Sequence, residues 1–192
     1  MNKIIKRINL NNWISEKTMG CNSVVELGAM FFEKLKHVES KIKTKIGIEI
    51  YKPYIDSKND HFGNPVFNDC IKIHGNVLEY KKLLSGYELD VAMIIDVLEH
   101  FDKNVGFNWI KELKKDFKRI ILMVPAGKFP QNKDYSGLGG DTYQTHRSYW
   151  YDEDIDKLGF DEVILDNIFH TNPELVANNM DTGCWFCVWN KK

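Results

Sequence analysis

The sequence predicts an α/β domain: a seven-stranded, mostly parallel sheet with helices on both faces and an antiparallel last strand. Three observations predict it. The hydrophobic pattern alternates along the chain between period two and a period of about 3.6, which is the mark of strand–helix units stacked into a sheet. Asp90 to Val124, DVAMIIDVLEHFDKNVGFNWIKELKKDFKRIILMV, reads as an apolar strand ending in an acidic turn, an amphipathic helix and a second apolar strand. The last two strand-like runs are separated by a stretch without helical pattern, as an antiparallel hairpin requires. With 192 residues and 43% hydrophobic content the chain can build one well-buried core and is too short for two ordinary domains, so residues 1–192 are expected to form a single unit.

Residues 23–27 are the first buried strand. Phe31, Leu35, Val38 and Ile42 then recur at helical spacing, which predicts a helix. Lys45–Ile50 alternates as the second strand, and Cys70–His74 and Leu89–Ile95 are the third and fourth. Asp102 is placed to cap the next helix, whose core stripe is Ile110, Leu113 and Phe117. Lys118–Val124 is a fifth strand stopped by Pro125. Asp152–Leu158 predicts a short helix ending at Gly159, and Phe160–Ile168 and Gly183–Asn190 are the closing strands. Ahead of all these, residues 1–20 carry Ile4, Ile5, Ile8, Trp13 and Ile14. They suit either a cap over a ligand site or packing against the sheet edge.

Composition excludes several classes. A formal charge of -1 supplies no global basic field, so nothing calls for a nucleic-acid or anionic-lipid partner. No apolar run is long enough to span a membrane and no secretory pattern opens the chain, which predicts a soluble, cytoplasmic protein. Cys21, Cys70, Cys184 and Cys187 are too scattered for a disulfide framework and are read as thiols. The lysines between 34 and 45 read as a solvated face. Oligomeric state is not legible.

The chemistry begins after the first strand. In Glu26-Leu27-Gly28-Ala29-Met30 a glycine turn allows close backbone approach to a ligand, and a following helix would aim its amides there. Glu49 ends the next strand, at the distance where nucleoside-binding folds place a ribose-binding carboxylate. Asn76 and Val77 follow the third strand, and Asp96-Val97-Leu98-Glu99-His100 the fourth. In order and spacing these segments resemble the Rossmann-like core of the class I S-adenosylmethionine-dependent methyltransferases. The similarity is to the type 11 and 12 methyltransferases and the ubiquinone-biosynthesis-like O-methyltransferases with a DVLEH-type segment.

That resemblance implies S-adenosylmethionine as cofactor, bound by Glu26, Gly28, Ala29, Met30, Glu49, Asn76, Val77 and Asp96. It implies an enzyme of the EC 2.1.1 type that methylates a small polar acceptor at oxygen. Two positions depart from the family pattern: Met30 stands for a glycine and Asn76 for an acid. Asp96, Glu99 and His100 fall on one face of a helical turn and would present two carboxylates and an imidazole to a divalent metal. Some O-methyltransferases hold a metal with such a segment, the small-RNA 2′-O-methyltransferases with a further distal histidine, for which His146 is the candidate here.

Pro125–Trp150 is too long for a simple connector and leaves the carboxyl end of a strand, where open α/β sheets bind ligands. Within it Tyr143, Arg147 and Trp150 are candidate substrate-binding residues, and His146, with His100, is a candidate base. Met30 and Asn76 also support an alternative, a non-catalytic methyltransferase-like binding module. A nicotinamide-dependent oxidoreductase shares Gly28 and Glu49 but would need a glycine-rich loop where Met30, Phe31 and Phe32 stand.

Overall fold

The structure is a computed structural model that describes residues 3–170 and 183–192. Its centre is an eight-stranded sheet: β1 (Ile4–Ile5), β2 (Ser23–Leu27), β3 (Thr44–Glu49), β4 (Ile71–His74), β5 (Val91–Ile95), β6 (Arg119–Pro125), β7 (Glu162–Asp166) and β8 (Cys184–Asn190). They lie in the order β1-β7-β8-β6-β5-β2-β3-β4, every pairing parallel except those of β8 with β6 and β7. The expected seven strands are all present. The eighth is the two-residue β1, too short to read from sequence, which pairs Ile4 with Ile164 at the sheet edge. The pattern expected between the last two strands falls in residues 171–182, outside the described residues.

β2 and β5 are buried along their whole length, because both sheet faces are covered. The α-helices among the described residues are α1 (Leu10–Thr18), α2 (Lys52–Asp56), α3 (Tyr80–Leu83), α4 (Lys103–Asp116), α5 (Asp141–Gln144) and α6 (Asp152–Leu158). One face packs Val25, Leu27, Ala92 and Ile94 against α4 and α6 through Ile110, Leu113, Ile155 and Leu158. The other packs Val24, Met93, Ile121 and Phe186 against α1 (Leu10–Thr18) and the segment after β2. Asn9 caps α1 by accepting from Asn12 N–H at 3.0 Å, and Trp13 meets the Phe186 ring edge-on at 5.1 Å. Among the described residues none of the N-terminal segment lines the ligand cavity, so it packs against the sheet.

Two expected local features differ. No α-helix spans Phe31 to Ile42; a five-residue 3-10 turn, Glu33–His37, stands there instead. The spacing anticipated burial correctly, since Phe31, Leu35, Val38 and Ile42 are all buried. Phe32 is buried too, and its left-handed φ of 63°, like the 46° of Met30, interrupts a helix through this segment. Asp102 does occupy the N-cap position of α4, but its side chain makes no capping hydrogen bond. Gly159 ends α6 in the left-handed conformation as expected. Among the described residues no helix is long and apolar enough to cross a membrane.

Candidate active site

The chain leaves β2 towards β3 and β4 on one side, then returns to β5 and continues to β6 on the other, so the strand order reverses between β2 and β5. Open α/β sheets bind ligands beyond the carboxyl ends of the strands at such a switch point. A cavity of about 620 Å³ lies there. Its lining draws on the segments after five parallel strands: Glu26 to Lys34, Glu49 and Ile50, Asn76 to Leu78, Ile95 to Asp102, and Pro125. All eight cofactor-binding residues expected from the sequence are in this lining.

The loop after β2 is set by its backbone. Gly28, Met30 and Phe32, at alternate positions, have φ of 86°, 46° and 63°. Left-handed backbone costs a residue with a side chain about 1 kcal/mol or more, so Met30 and Phe32 hold a glycine-like path at the expense of strain. Gly28 is required twice, by its φ and because a Cβ there would stand 2.5 Å from Val97 Cγ2. The loop amides do not reach for a ligand as expected. Gly28 N–H and Ala29 N–H both donate to Ile48 O at 2.9 Å, and Met30 N–H donates to Glu49 Oε2 at 2.8 Å. The reason is close packing of the loop on the end of β3, where Gly47 leaves room for the Phe32 ring.

Glu49 therefore ties the loop to the strand end, accepting also from Tyr51 N–H at 2.7 Å. Burial raises its carboxyl above the ordinary range despite these donors. Each oxygen keeps a second lone pair for a ligand. Asn76 accepts from Leu78 N–H at 2.9 Å as the cap of the 3-10 turn Val77–Glu79, which leaves its amide nitrogen for a ligand.

Glu26 and Asp96, at the ends of the two central strands, are more exposed to electrostatic cost. Burial drives both carboxyls upward, Glu26 strongly, and each has one oxygen, Glu26 Oε2 and Asp96 Oδ1, without a hydrogen-bond partner in the protein. Asp96 itself is left-handed, with φ of 53°.

The 3-10 turn Leu98–His100 and the loop 126–150 build a second group. Nε2 of His100 and Nε2 of His146 each lie 3.9 Å from Glu99 Oε1, and the two rings are 5.0 Å apart. Nδ1 of His146 faces Phe129 O at 2.6 Å and Nδ1 of His100 faces Thr145 O at 3.2 Å. A carbonyl can only accept, so each Nδ1 carries the proton and each Nε2 keeps its lone pair. Glu99, His100 and His146 offer ligand atoms all within 4.8 Å of one another, while Asp96, expected to join them, lies outside this cluster. Its left-handed backbone turns it off the face that helical spacing would have given. Burial, then the neighbouring Asp96, pushes the Glu99 carboxyl well up, and Oε2 has no partner. Burial also lowers His146, and lowers His100 to about 4.

The expected substrate residues separate. Tyr143 lines the cavity, 40% exposed, with its ring 5.3 Å from that of Tyr51. Arg147 lines it as well, but its guanidinium donates to His100 O at 2.7 Å and Thr142 O at 2.9 Å. Trp150 is fully buried, gives its Nε1–H to Ser148 Oγ, and packs over Gly106 in the core. It stands outside the cavity lining, as the apolar anchor of a loop bridged to β6 through Ala126. His170 was not anticipated. It lines the cavity with Nε2 3.0 Å from Cys184 Sγ, and no local pattern marks a lone histidine beyond a strand end.

No protein-family model matches the sequence, and no curated protein matches it. Solved structures do. A SAM-dependent methyltransferase from Archaeoglobus fulgidus superposes with TM-score 0.57 and 18% identity, over 92% of this chain and 89% of that one. The plantazolicin methyltransferase BamL, solved with a desmethyl-plantazolicin analogue and S-adenosylhomocysteine, gives 0.58 and 14% over 95% and 82%. The small RNA methyltransferase HEN1 gives 0.59 and 13% over 95% of this chain but 24% of that one. The chain has the class I methyltransferase fold.

Proposed function

We propose that the chain is an S-adenosylmethionine-dependent methyltransferase acting on a small polar acceptor at oxygen. The observation that carries this reading is the pair of buried carboxyls, Glu26 and Asp96, with unpartnered oxygens on either side of the switch point. Buried polar atoms need partners, and once ionised these carboxyls are acceptor-only and need a ligand bearing positive charge or N–H donors. S-adenosylmethionine, with its ammonium and sulfonium, meets that requirement, and Glu49 and Asn76, both in the cavity lining, would hold its ribose and adenine.

S-adenosylmethionine supplies an electrophilic methyl group when bound. The chain's own part is alignment and exclusion of water, with Tyr143 and the backbone clasp of Arg147 closing the acceptor side. Glu99, His100 and His146 suit a divalent ion: two imidazoles fixed with Nε2 free, and a carboxylate with an orphan oxygen. These three residues would hold the ion, which would supply Lewis acidity towards an acceptor hydroxyl. The same Nε2 atoms are the candidate proton acceptors, but one nitrogen cannot serve both roles. At about 4, His100 is too weak a base to serve well near neutral pH, which favours the ligand role.

The test is calorimetric titration with S-adenosylhomocysteine, with and without Mg²⁺ or Mn²⁺, followed by methyl transfer from labelled S-adenosylmethionine to hydroxyl-bearing acceptors. Saturable binding is expected. Its absence in folded protein would turn the reading towards the non-catalytic module.

A further inference from the structure

Cys184 and His170 form a pair that the chemistry above does not use. Cys184 opens β8 fully buried, and its Sγ lies 3.0 Å from Nε2 of His170, whose ring lines the cavity. A thiol has one hydrogen to give and accepts poorly, whereas an unprotonated imidazole nitrogen accepts well. Among the described residues the thiol has no other hydrogen-bond partner, so its S–H donates to Nε2. Burial favours the neutral form of both groups, raising the thiol and lowering the imidazole. A neutral ring that accepts at Nε2 carries its proton on Nδ1, and that N–H has no partner among the described residues.

The position of this donor is specific. His170 follows β7, and in the sheet β7 lies on the other side of β5 from β2, β3 and β4, which deliver Glu26, Glu49 and Asn76. His170 therefore stands on the acceptor half of the cavity. Phe129, also in the lining, links it to His146: the Phe129 ring centroid is 4.8 Å from that of His170 and 5.8 Å from that of His146, tilted by 33° to each. The Phe129 carbonyl in turn fixes the tautomer of His146. One apolar ring thus touches an imidazole with a free Nε2 and an imidazole with a free N–H.

We propose that His170 is a specificity-determining residue that donates its Nδ1–H to an oxygen of the methyl acceptor, about a ring's width from the hydroxyl that reacts, and that Cys184 is the positioning residue that fixes its tautomer. The proposal rests on the methyltransferase reading above. It defines the acceptor as a molecule with two oxygens, one to react beside His146 and one to be held by His170, joined by a face that packs on Phe129.

Two measurements on the full chain test this. Two-bond ¹H–¹⁵N correlation, with His170 assigned by its loss in His170→Phe, should show the proton on Nδ1. Cys184→Ser, whose hydroxyl can still donate, should keep that tautomer, while Cys184→Ala should mix the two. Calorimetry with S-adenosylhomocysteine bound then compares 4-methoxyphenol with 4-ethylphenol, which exchange an ether oxygen for a methylene at similar size. The wild type should prefer the ether by about 3- to 10-fold, the range of a hydrogen bond between neutral groups. His170→Phe, which keeps a ring but no donor, should lose the preference; if it fails to fold, Cys184→Ala should show it reduced. A proton on Nε2 in the wild type, a preference that survives in His170→Phe, or a wild type that binds the probes equally or not at all would overturn the proposal and leave the cofactor reading standing. Failure of the folded wild type to bind S-adenosylhomocysteine would overturn both.

Discussion

Nε2 of His146 lies 3.9 Å from Oε1 of Glu99, although the two residues come from different loops beyond different strands. The contact depends on a strap: Arg147 N–H and Ser148 N–H both donate to Glu99 O, at 2.8 and 3.1 Å, while His146 N–H donates to Gln131 O. With His100 on the same carboxylate oxygen, the group has the donor set and tautomers of a divalent-ion site. Removing either imidazole, as His146→Ala or His100→Ala, should weaken Mn²⁺ binding by more than about 10-fold, a loss at least as large as that of an outer-shell partner. Calorimetric titration with Mn²⁺ reads this directly, and unchanged affinity in both variants would remove the site.

His100 also sets a pH dependence. Burial, with His146 second, lowers it to about 4 from an ordinary 6.5, so the folded chain binds fewer protons than the unfolded chain between those values. Stability contributed by this group is full above 6.5 and is lost as pH falls towards 4, by about 3 kcal/mol in all. Glu99, Asp96, His146 and Arg147 surround it and titrate or repel in the same region, so the comparison must be between wild type and His100→Gln. In metal-free buffer the stability difference between the two should change steadily from pH 6.5 to 4 and be flat above it. A constant difference throughout would contradict the assignment.

Glu26 has the opposite sign. Its folded pKa lies well above the ordinary carboxylate value, so the folded chain keeps a proton that the unfolded chain has already lost. Stability therefore falls as pH rises above about 4.5. Glu26→Gln should melt higher than wild type at pH 8, with the advantage shrinking by pH 5, and should bind S-adenosylhomocysteine more weakly. A variant less stable at pH 8 would show that the charge is satisfied in the folded chain.

The left-handed loop gives a paired prediction. Gly28→Ala adds both a strained φ and a Cβ 2.5 Å from Val97 Cγ2, and should cost about 2 kcal/mol or more in denaturant melts. Met30→Gly should change stability by less than about 1 kcal/mol, because relief of strain at φ 46° is offset by the greater freedom of glycine in the unfolded chain. A large gain in the second variant would mean that the strain exceeds its usual size.

Arg147 lines the cavity and spends two of its guanidinium donors on the protein. Its fork joins His100 O to Thr142 O, a geometry that a lysine ammonium on a flexible stem does not reproduce. Arg147→Lys should destabilise the fold by about 1 to 3 kcal/mol, the scale of hydrogen bonds from a charged donor, and loosen Mn²⁺ binding. Full stability in that variant would return Arg147 to the pool of ligand-binding residues.

The sequence by itself determined the strands, their mostly parallel order and the antiparallel closure. Those features rest on period and run length, which sum over many residues, as in β5 and β6, whose buried runs match the expected strands within two residues. It also determined which loops meet at the switch point, because every parallel strand delivers its carboxyl end to the same edge. Tertiary structure alone decided what individual side chains do there. Trp150 and Arg147 both read as substrate-binding residues, but the first is core and the second clasps two backbone carbonyls; Asp96 left the metal group because its φ is positive. His170 carried no pattern and Lys34 read as part of a solvated lysine face, yet both line the cavity once the loops fold over the strand ends. Periodicity reports which face a residue occupies. It cannot report which backbone carbonyl, carboxylate or ring from a distant loop will meet it, and those contacts fix tautomer, charge and role.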